Sequence, residues 1–209
     1  MSAEIKDVQK LKPYELRVKK KFNGYMMMLA FLIASISILF LTLTLTYLFS
    51  KNWADNILNL KIPPVFYIDT LILVMGSVAL FMSMKSFDKD DANGYKLWLY
   101  ISLLSGVCFL FGQIAGWYAL SNTGFGLTEH RSGAFLYVIS GIHAAHIIGG
   151  VAFLVMIFLN ASKKLKDPAL AVVYFTDPVP KARLKLANYY WHFLGAVWLY
   201  LLIFFAIVK

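Results

Sequence analysis

Apolar residues in this chain gather into long blocks, and the polar residues are confined to the stretches between them. Five blocks, at 25–49, 65–84, 97–120, 133–159 and 186–208, stand out. A hydrocarbon core of about 30 Å takes roughly 20 apolar residues in a helix, so each block reads as one membrane span. The pattern predicts an all-α fold, an integral membrane bundle of five transmembrane helices occupying residues 23–209. Residues 1–22 are polar and basic and precede the first span as a separate segment. The block at 25–49 is long enough to span, so it is expected to stay in the chain and not to be cleaved as a signal.

The connections are short. Pro63-Pro64 stands before the second block, where proline is tolerated because the first amides of a helix lack intrahelical acceptors. Residues 88–94, Asp-Lys-Asp-Asp-Ala-Asn-Gly, form a turn between the second and third spans. The stretch 161–185, with Pro168, Pro178 and Pro180 and several basic residues, is expected to lie along the membrane surface or against a partner.

Charge adds direction. Of 20 Lys and Arg, alternate extramembrane segments hold 16 and 4, with Lys51, Lys61, Arg131 and Lys209 making up the poorer set. Positive residues stay in the cytoplasm, which puts the N-terminus inside and the C-terminus outside. A net charge of +9, borne by residues that flank spans, points to anionic lipid headgroups and away from nucleic acid. Tyr25, Tyr47, Trp53, Tyr95, Trp98, Trp117, Tyr118, Tyr189, Tyr190 and Trp191 fall near span ends, as interfacial anchors do.

Composition bounds the chemistry. With 60% hydrophobic residues and a single cysteine, Cys108, the chain offers neither a disulfide framework nor paired thiolates. Small residues recur every four positions at Gly141, Ala145 and Gly149, and Gly112 and Gly116 repeat the spacing in the third span. Such ridges let helices approach closely in lipid, so spans three and four are expected to make the tightest contact.

Ionisable groups inside a membrane are costly and mark ion or substrate routes, and here they are scarce. Asp69 is the one acidic or basic residue well inside a block. At the start of the second helix it is favoured by the positive helix end, which suits a structural role better than proton relay. His143 and His146, three apart, share one helix face. Two imidazoles at that spacing cannot ligate opposite sides of one haem, and a transition metal wants a third or fourth ligand. His192 is the remaining candidate, yet it lies about 8–10 Å from the cytoplasmic end of its span against about 20 Å for His146. Neutral histidines hydrogen-bonded between helices, or to lipid or a partner, are the reading preferred over a ligand role. His130 falls in an outer loop. No phosphate loop, nucleophile elbow or zinc pattern occurs, so catalysis by the chain alone is not expected.

The sequence Gly141-Ile142-His143-Ala144-Ala145-His146-Ile147-Ile148-Gly149-Gly150, followed by Tyr189-Tyr190-Trp191-His192-Phe193 and Val197-Trp198-Leu199-Tyr200, resembles subunit III of haem-copper oxidases. Pro63-Pro64 with Asp69-Thr70, and Gly112-Gln113 with Gly116-Trp117, extend the resemblance over nearly all of the chain after about residue 22. It implies a short five-helix bacterial form of a subunit that binds no metal, catalyses nothing itself, and packs beside the catalytic subunit I, with subunit II in the same complex. Haems and copper are then expected in those partners, with none in this chain, and the resemblance also implies bound phospholipid.

The resemblance makes His143, His146, Trp191 and His192 structural, lipid-contact or subunit-contact residues, beside the ridge of Gly141, Ala145 and Gly149 and the carboxyl of Asp69. It further implies a multi-pass protein of the bacterial inner membrane, in an aerobic terminal oxidase fed by cytochrome c, with support of assembly, proton uptake and sustained turnover as its contribution. A quinol oxidase subunit, a nitric-oxide reductase accessory protein, and association with a respiratory supercomplex are compatible alternatives. A membrane cytochrome or transporter using the histidines directly is the reading from another class. Full-length relatives have seven helices. Many carry a glutamate where Ser35-Ile36-Ser37 stands here, and an aspartate where this chain has Gly195.

Overall fold

The computed structural model describes residues 2–50, 63–122 and 131–208, with side chains from Lys20 onward except those of residues 131 and 132. Lys51, Trp53, Lys61, His130 and Lys209 lie outside the described residues. Six helices follow one another: α1 (Ser2–Ser50), α2 (Val65–Asp88), α3 (Ala92–Ser121), α4 (Arg131–Lys164), α5 (Pro168–Thr176) and α6 (Pro178–Ile207). Five of them, all but α5, are long and apolar enough to cross a membrane.

Contacts between the helices fix their directions. Residue numbers fall in one helix as they rise in the next between α2 and α3, where Asp69 meets Gln113 and Gly76 meets Ser105. The same holds between α3 and α4, where Trp117 meets Ser140 and Tyr100 meets Phe158, and between α2 and α6, where Thr70 meets Trp198 and Met84 meets Asn188. α1 runs parallel to α6, with Thr44 on Tyr200 and Tyr47 on Phe204. Five spans therefore alternate in direction, and α5 sits at the end where α2 stops and α3 begins, touching both through its aromatic residues.

Local chemistry explains the turns. Proline cannot donate its missing amide, and α2 starts directly after Pro63-Pro64, whose carbonyls take the amides of Phe66 and Tyr67. The α2–α3 turn passes through Asp90 at φ 56°, a left-handed conformation Asp tolerates better than most residues. Asp91 then caps α3 by accepting from the Gly94 amide at 3.0 Å. A β-carbon at Gly94 would lie 2.1 Å from the Asp91 carboxylate, so a larger residue here would shift the capping side chain.

The stretch 161–185 is more ordered than its composition suggests. Asp167 and Asp177 each accept from the amide two residues on, at 2.9 Å, and each is followed by a proline at the first helical position. That pairing of an N-cap carboxylate with proline starts a helix twice within ten residues. The outcome is that α4 runs on to Lys164, α5 occupies most of the intervening segment, and α6 begins before its apolar block does.

α5 is held by aromatic packing. Phe87, Tyr95, Tyr174 and Phe175 form a cluster with ring centroids 5.1–6.2 Å apart, and the hydroxyls of Tyr95 and Tyr174 stand 3.4 Å from each other. Burial pushes the Tyr174 hydroxyl up from its ordinary pKa. Tyr95, expected at the interface as an anchor, is instead wholly buried, because Tyr174 and Phe175 of α5 pack over it. Tyr174→Ala is expected to undock α5 at a cost of roughly 3 kcal/mol, the low end for losing a buried aromatic. Limited proteolysis between residues 165 and 180 checks it: cleavage should accelerate, and an unchanged rate would show that the cluster does not hold the helix.

The closest packing lies between α2 and α3, not between spans three and four. A β-carbon at Gly76 would lie 2.0 Å from the Ser105 hydroxyl, and one at Gly116 would lie 2.5 Å from the Phe66 ring. The Gly141, Ala145 and Gly149 ridge faces away from the bundle. Ala145 and Gly149 are exposed, a β-carbon at Gly149 would meet nothing within 4 Å, and one at Gly141 would meet only Trp117, at 4.0 Å. The inward row of α4 is Leu136, Ile139, His143, Ile147 and Leu154. Two residues along a helix is a turn of about 200°, so the ridge two positions from that row points outward.

Candidate functional site

The residues singled out in the sequence do not converge on one site. His143 projects from α4 into the bundle and is 0% exposed. Trp198 of α6 stacks on its ring at 5.4 Å and 29°, while Phe109 of α3 and Phe40 of α1 present edges at 5.8 and 6.0 Å. Neither ring nitrogen has a hydrogen-bond partner in the protein. The expectation is a hydrogen bond between helices, or to lipid or a partner; within the bundle His143 meets the rings of Trp198, Phe109 and Phe40 and no hydrogen-bond partner.

His146, one turn further, is half-buried. Its Nδ1–H donates to the Ile142 carbonyl of its own helix at 2.7 Å, and its own carbonyl accepts from the Tyr190 hydroxyl at 3.2 Å. His192 likewise donates from Nδ1 to the Asn188 carbonyl at 2.9 Å, and its ring is exposed. It lines an outward groove of about 410 Å³ between α2 and α6, beside Ser77, Gly195 and Leu199. The structure therefore does not bring His192 to His143 and His146. Among the described residues no group of three or more His, Cys, Asp or Glu side chains could hold a metal ion.

Trp191, adjacent to His192 in the chain, turns the other way. It is 2% exposed and its indole fills a notch made by two glycines. A β-carbon at Gly106 would lie 2.6 Å from the ring, and one at Gly76 3.3 Å from it. Its assignment as an interfacial anchor is thus corrected: it is the wedge that joins α6 to α2 and α3. Tyr47 is buried too, among Phe135, Phe204 and Phe205.

Asp69 is 1% exposed and is the fifth residue of α2, beyond the first turn where the helix end attracts an anion. Its partner is on α3: the Gln113 amide donates to Asp69 Oδ2 at 2.8 Å. A β-carbon at Gly112 would stand 1.8 Å from Asp69 Oδ1, so the carboxyl rests on the bare backbone of that glycine. At the next residue the Trp198 indole donates to Thr70 at 3.1 Å, and its ring meets Phe66, about one turn back, edge-on at 5.8 Å. Gln113, Gly76 and Gly106 are the residues that sequence reading passed over as site members. An amide within an apolar block, facing the block that holds the one carboxylate, was the signal available for Gln113.

These features define a class: a membrane-embedded helical bundle whose buried polar and aromatic side chains bind its own helices to one another. Comparison with known proteins narrows the class. The family model for cytochrome c oxidase subunit III matches residues 16–208. The chain is 28% identical over 152 residues to cytochrome c oxidase subunit 3 of Corynebacterium diphtheriae, covering 73% of this chain and 69% of that one. It is 31% identical over 151 residues to the probable cytochrome c oxidase subunit 3 of Nocardia farcinica, covering 71% and 68%. It is also 24% identical over 165 residues to the cytochrome bo(3) ubiquinol oxidase subunit 3 of Buchnera aphidicola, covering 78% and 82%. The chain belongs to the cytochrome c oxidase subunit III family.

Proposed function

We propose that this chain is the accessory, non-catalytic subunit of an aerobic respiratory terminal oxidase in a bacterial inner membrane. It docks on the catalytic subunit I, in a complex with subunit II, and supports assembly, proton uptake and endurance during turnover. The haems and copper belong to those partners, cytochrome c is the electron donor, and membrane phospholipid fills the outward grooves. The N-terminus is cytoplasmic, since Lys20, Lys21, Lys85, Lys89, Lys96 and the basic residues of 163–185 belong to one end of the bundle. The observation that carries the reading is the family match across residues 16–208. A bundle in which His192 stands apart from His143 and His146 supports it. The Buchnera relative, matched over 82% of its length, keeps a quinol-fed complex as the second reading.

The test is purification of the native complex through a tag on this chain. Haem and copper are expected to copurify with the partners, and the chain separated from them is expected to be colourless. Reduction by cytochrome c against reduction by quinol then selects between the two donors. A separated chain that keeps a stoichiometric metal centre would overturn the proposal. The double substitution His143→Asn with His146→Asn is a second test. Haem content per complex is expected to stay at the wild-type level, while activity decays faster during turnover. Loss of haem with the subunit still bound would refute a purely supportive role.

A further inference from the structure

Asp69 and Gln113 carry an unsettled hydrogen-bond account. The Gln113 amide donates once, to Asp69 Oδ2 at 2.8 Å. Two buried oxygens then remain without a partner, Asp69 Oδ1 and Gln113 Oε1, and they belong to the same two side chains. With Asp69 ionised, both are acceptors and neither can satisfy the other. A buried charge answered by one neutral donor is also poorly compensated, most of all between helices in a membrane.

We infer that Asp69 and Gln113 form a proton-holding pair, in which Asp69 is an uncharged carboxylic acid that donates its proton to the Gln113 amide oxygen. An acid and a primary amide carry complementary donor and acceptor atoms, so one proton supplies the donor that the two oxygens lack. The titratable group α4 contributes is His143, which stacks on the same Trp198 and makes no hydrogen bond to Asp69. α3 contributes Gly112 and Gln113, and α6 contributes Trp198, which reaches Phe66 and Thr70 on either side of the carboxyl along α2. Among the described residues no lysine, arginine or histidine pairs with Asp69. Leu73 and Phe109, 3% and 0% exposed, close the core one turn deeper. The proton is therefore held as part of the α2–α3 contact, and Asp69 does not pass it on. This goes beyond the accessory role and stands apart from it.

The experiment uses the intact complex carrying Asp69→Asn, which reproduces the bulk and the paired donor and acceptor of the neutral acid. In infrared difference spectra of wild type against this variant at neutral pH, a protonated-carboxyl carbonyl band should disappear. Labelling aspartate with 13C should shift that band. Retention of the subunit in the purified complex should stay within about twofold of wild type, as expected when a buried pair is replaced by one equally satisfied. Asp69→Leu, which leaves the Gln113 amide unpaired, should lower retention by about tenfold. The inference is overturned if the band lost is that of a carboxylate. Failure of Asp69→Asn to assemble, or its loss of proton uptake by the complex, would overturn it equally.

Discussion

Gly112→Ala is expected to strip this subunit from its complex. The added methyl would fall 1.8 Å from Asp69 Oδ1, 2.6 Å from Cγ and 2.8 Å from Oδ2, so it meets the whole carboxyl group and not one mobile atom. Asp69 cannot swing aside without giving up its 2.8 Å bond from Gln113, and it has no solvent to turn toward. Overpacking a tight contact costs about 1–3 kcal/mol, and leaving a buried polar group unpaired costs about 1–3 kcal/mol more. A combined loss of about 2–6 kcal/mol is a large share of the stability of a folded domain. Thermal release of the subunit from detergent-purified complex measures it. The companion variant Gly112→Ala with Asp69→Ala removes the obstructing carboxyl, so it should regain part of the loss. If the double variant is no more stable than the single, the clash is not the cause.

The five spans were legible because a membrane demands unbroken apolar blocks, and composition alone records them. Facing was harder to read. In lipid the outer side of a helix is as apolar as the inner side, so hydrophobicity no longer distinguishes them. The Gly141, Ala145 and Gly149 ridge illustrates the consequence: the spacing was right for close packing, but nothing in the residues said whether the neighbour lay inside this chain. Trp191 and His192 make the same point. Both belong to one recognisable motif, yet a rotation of about 100° buries the indole and leaves the imidazole on an outward groove. α5 was missed for a different reason. Three prolines and six basic residues between 161 and 185 suggest a loop along the membrane surface or against a partner, although the two Asp-Pro pairs at 167–168 and 177–178 are readable as helix starts.

Trp191→Ala is expected to loosen α6 from α2 and α3, while His192→Ala beside it leaves the bundle intact. The indole lies against two places where a neighbouring helix has no side chain, Gly76 and Gly106, and no other large group could enter either notch without displacing it. Its removal opens a cavity shared by three helices. In water such a change costs about 3–5 kcal/mol, part of it from lost hydrophobic transfer and part from lost contacts around the void. Between helices in lipid the transfer part shrinks, because the surrounding tails are as apolar as the ring, so the lower end, about 3 kcal/mol, is expected. His192 spends its Nδ1–H on its own helix and faces outward, so its replacement should change stability by no more than about 0.5 kcal/mol. Thermal unfolding of the two variants in the same detergent compares them. Equal losses would mean that α6 is held chiefly from outside the bundle, by a partner on the groove. The expected inequality would place the hold on α6 at the glycine notch, where packing in the absence of a hydrophobic drive depends on how closely two backbones admit one ring.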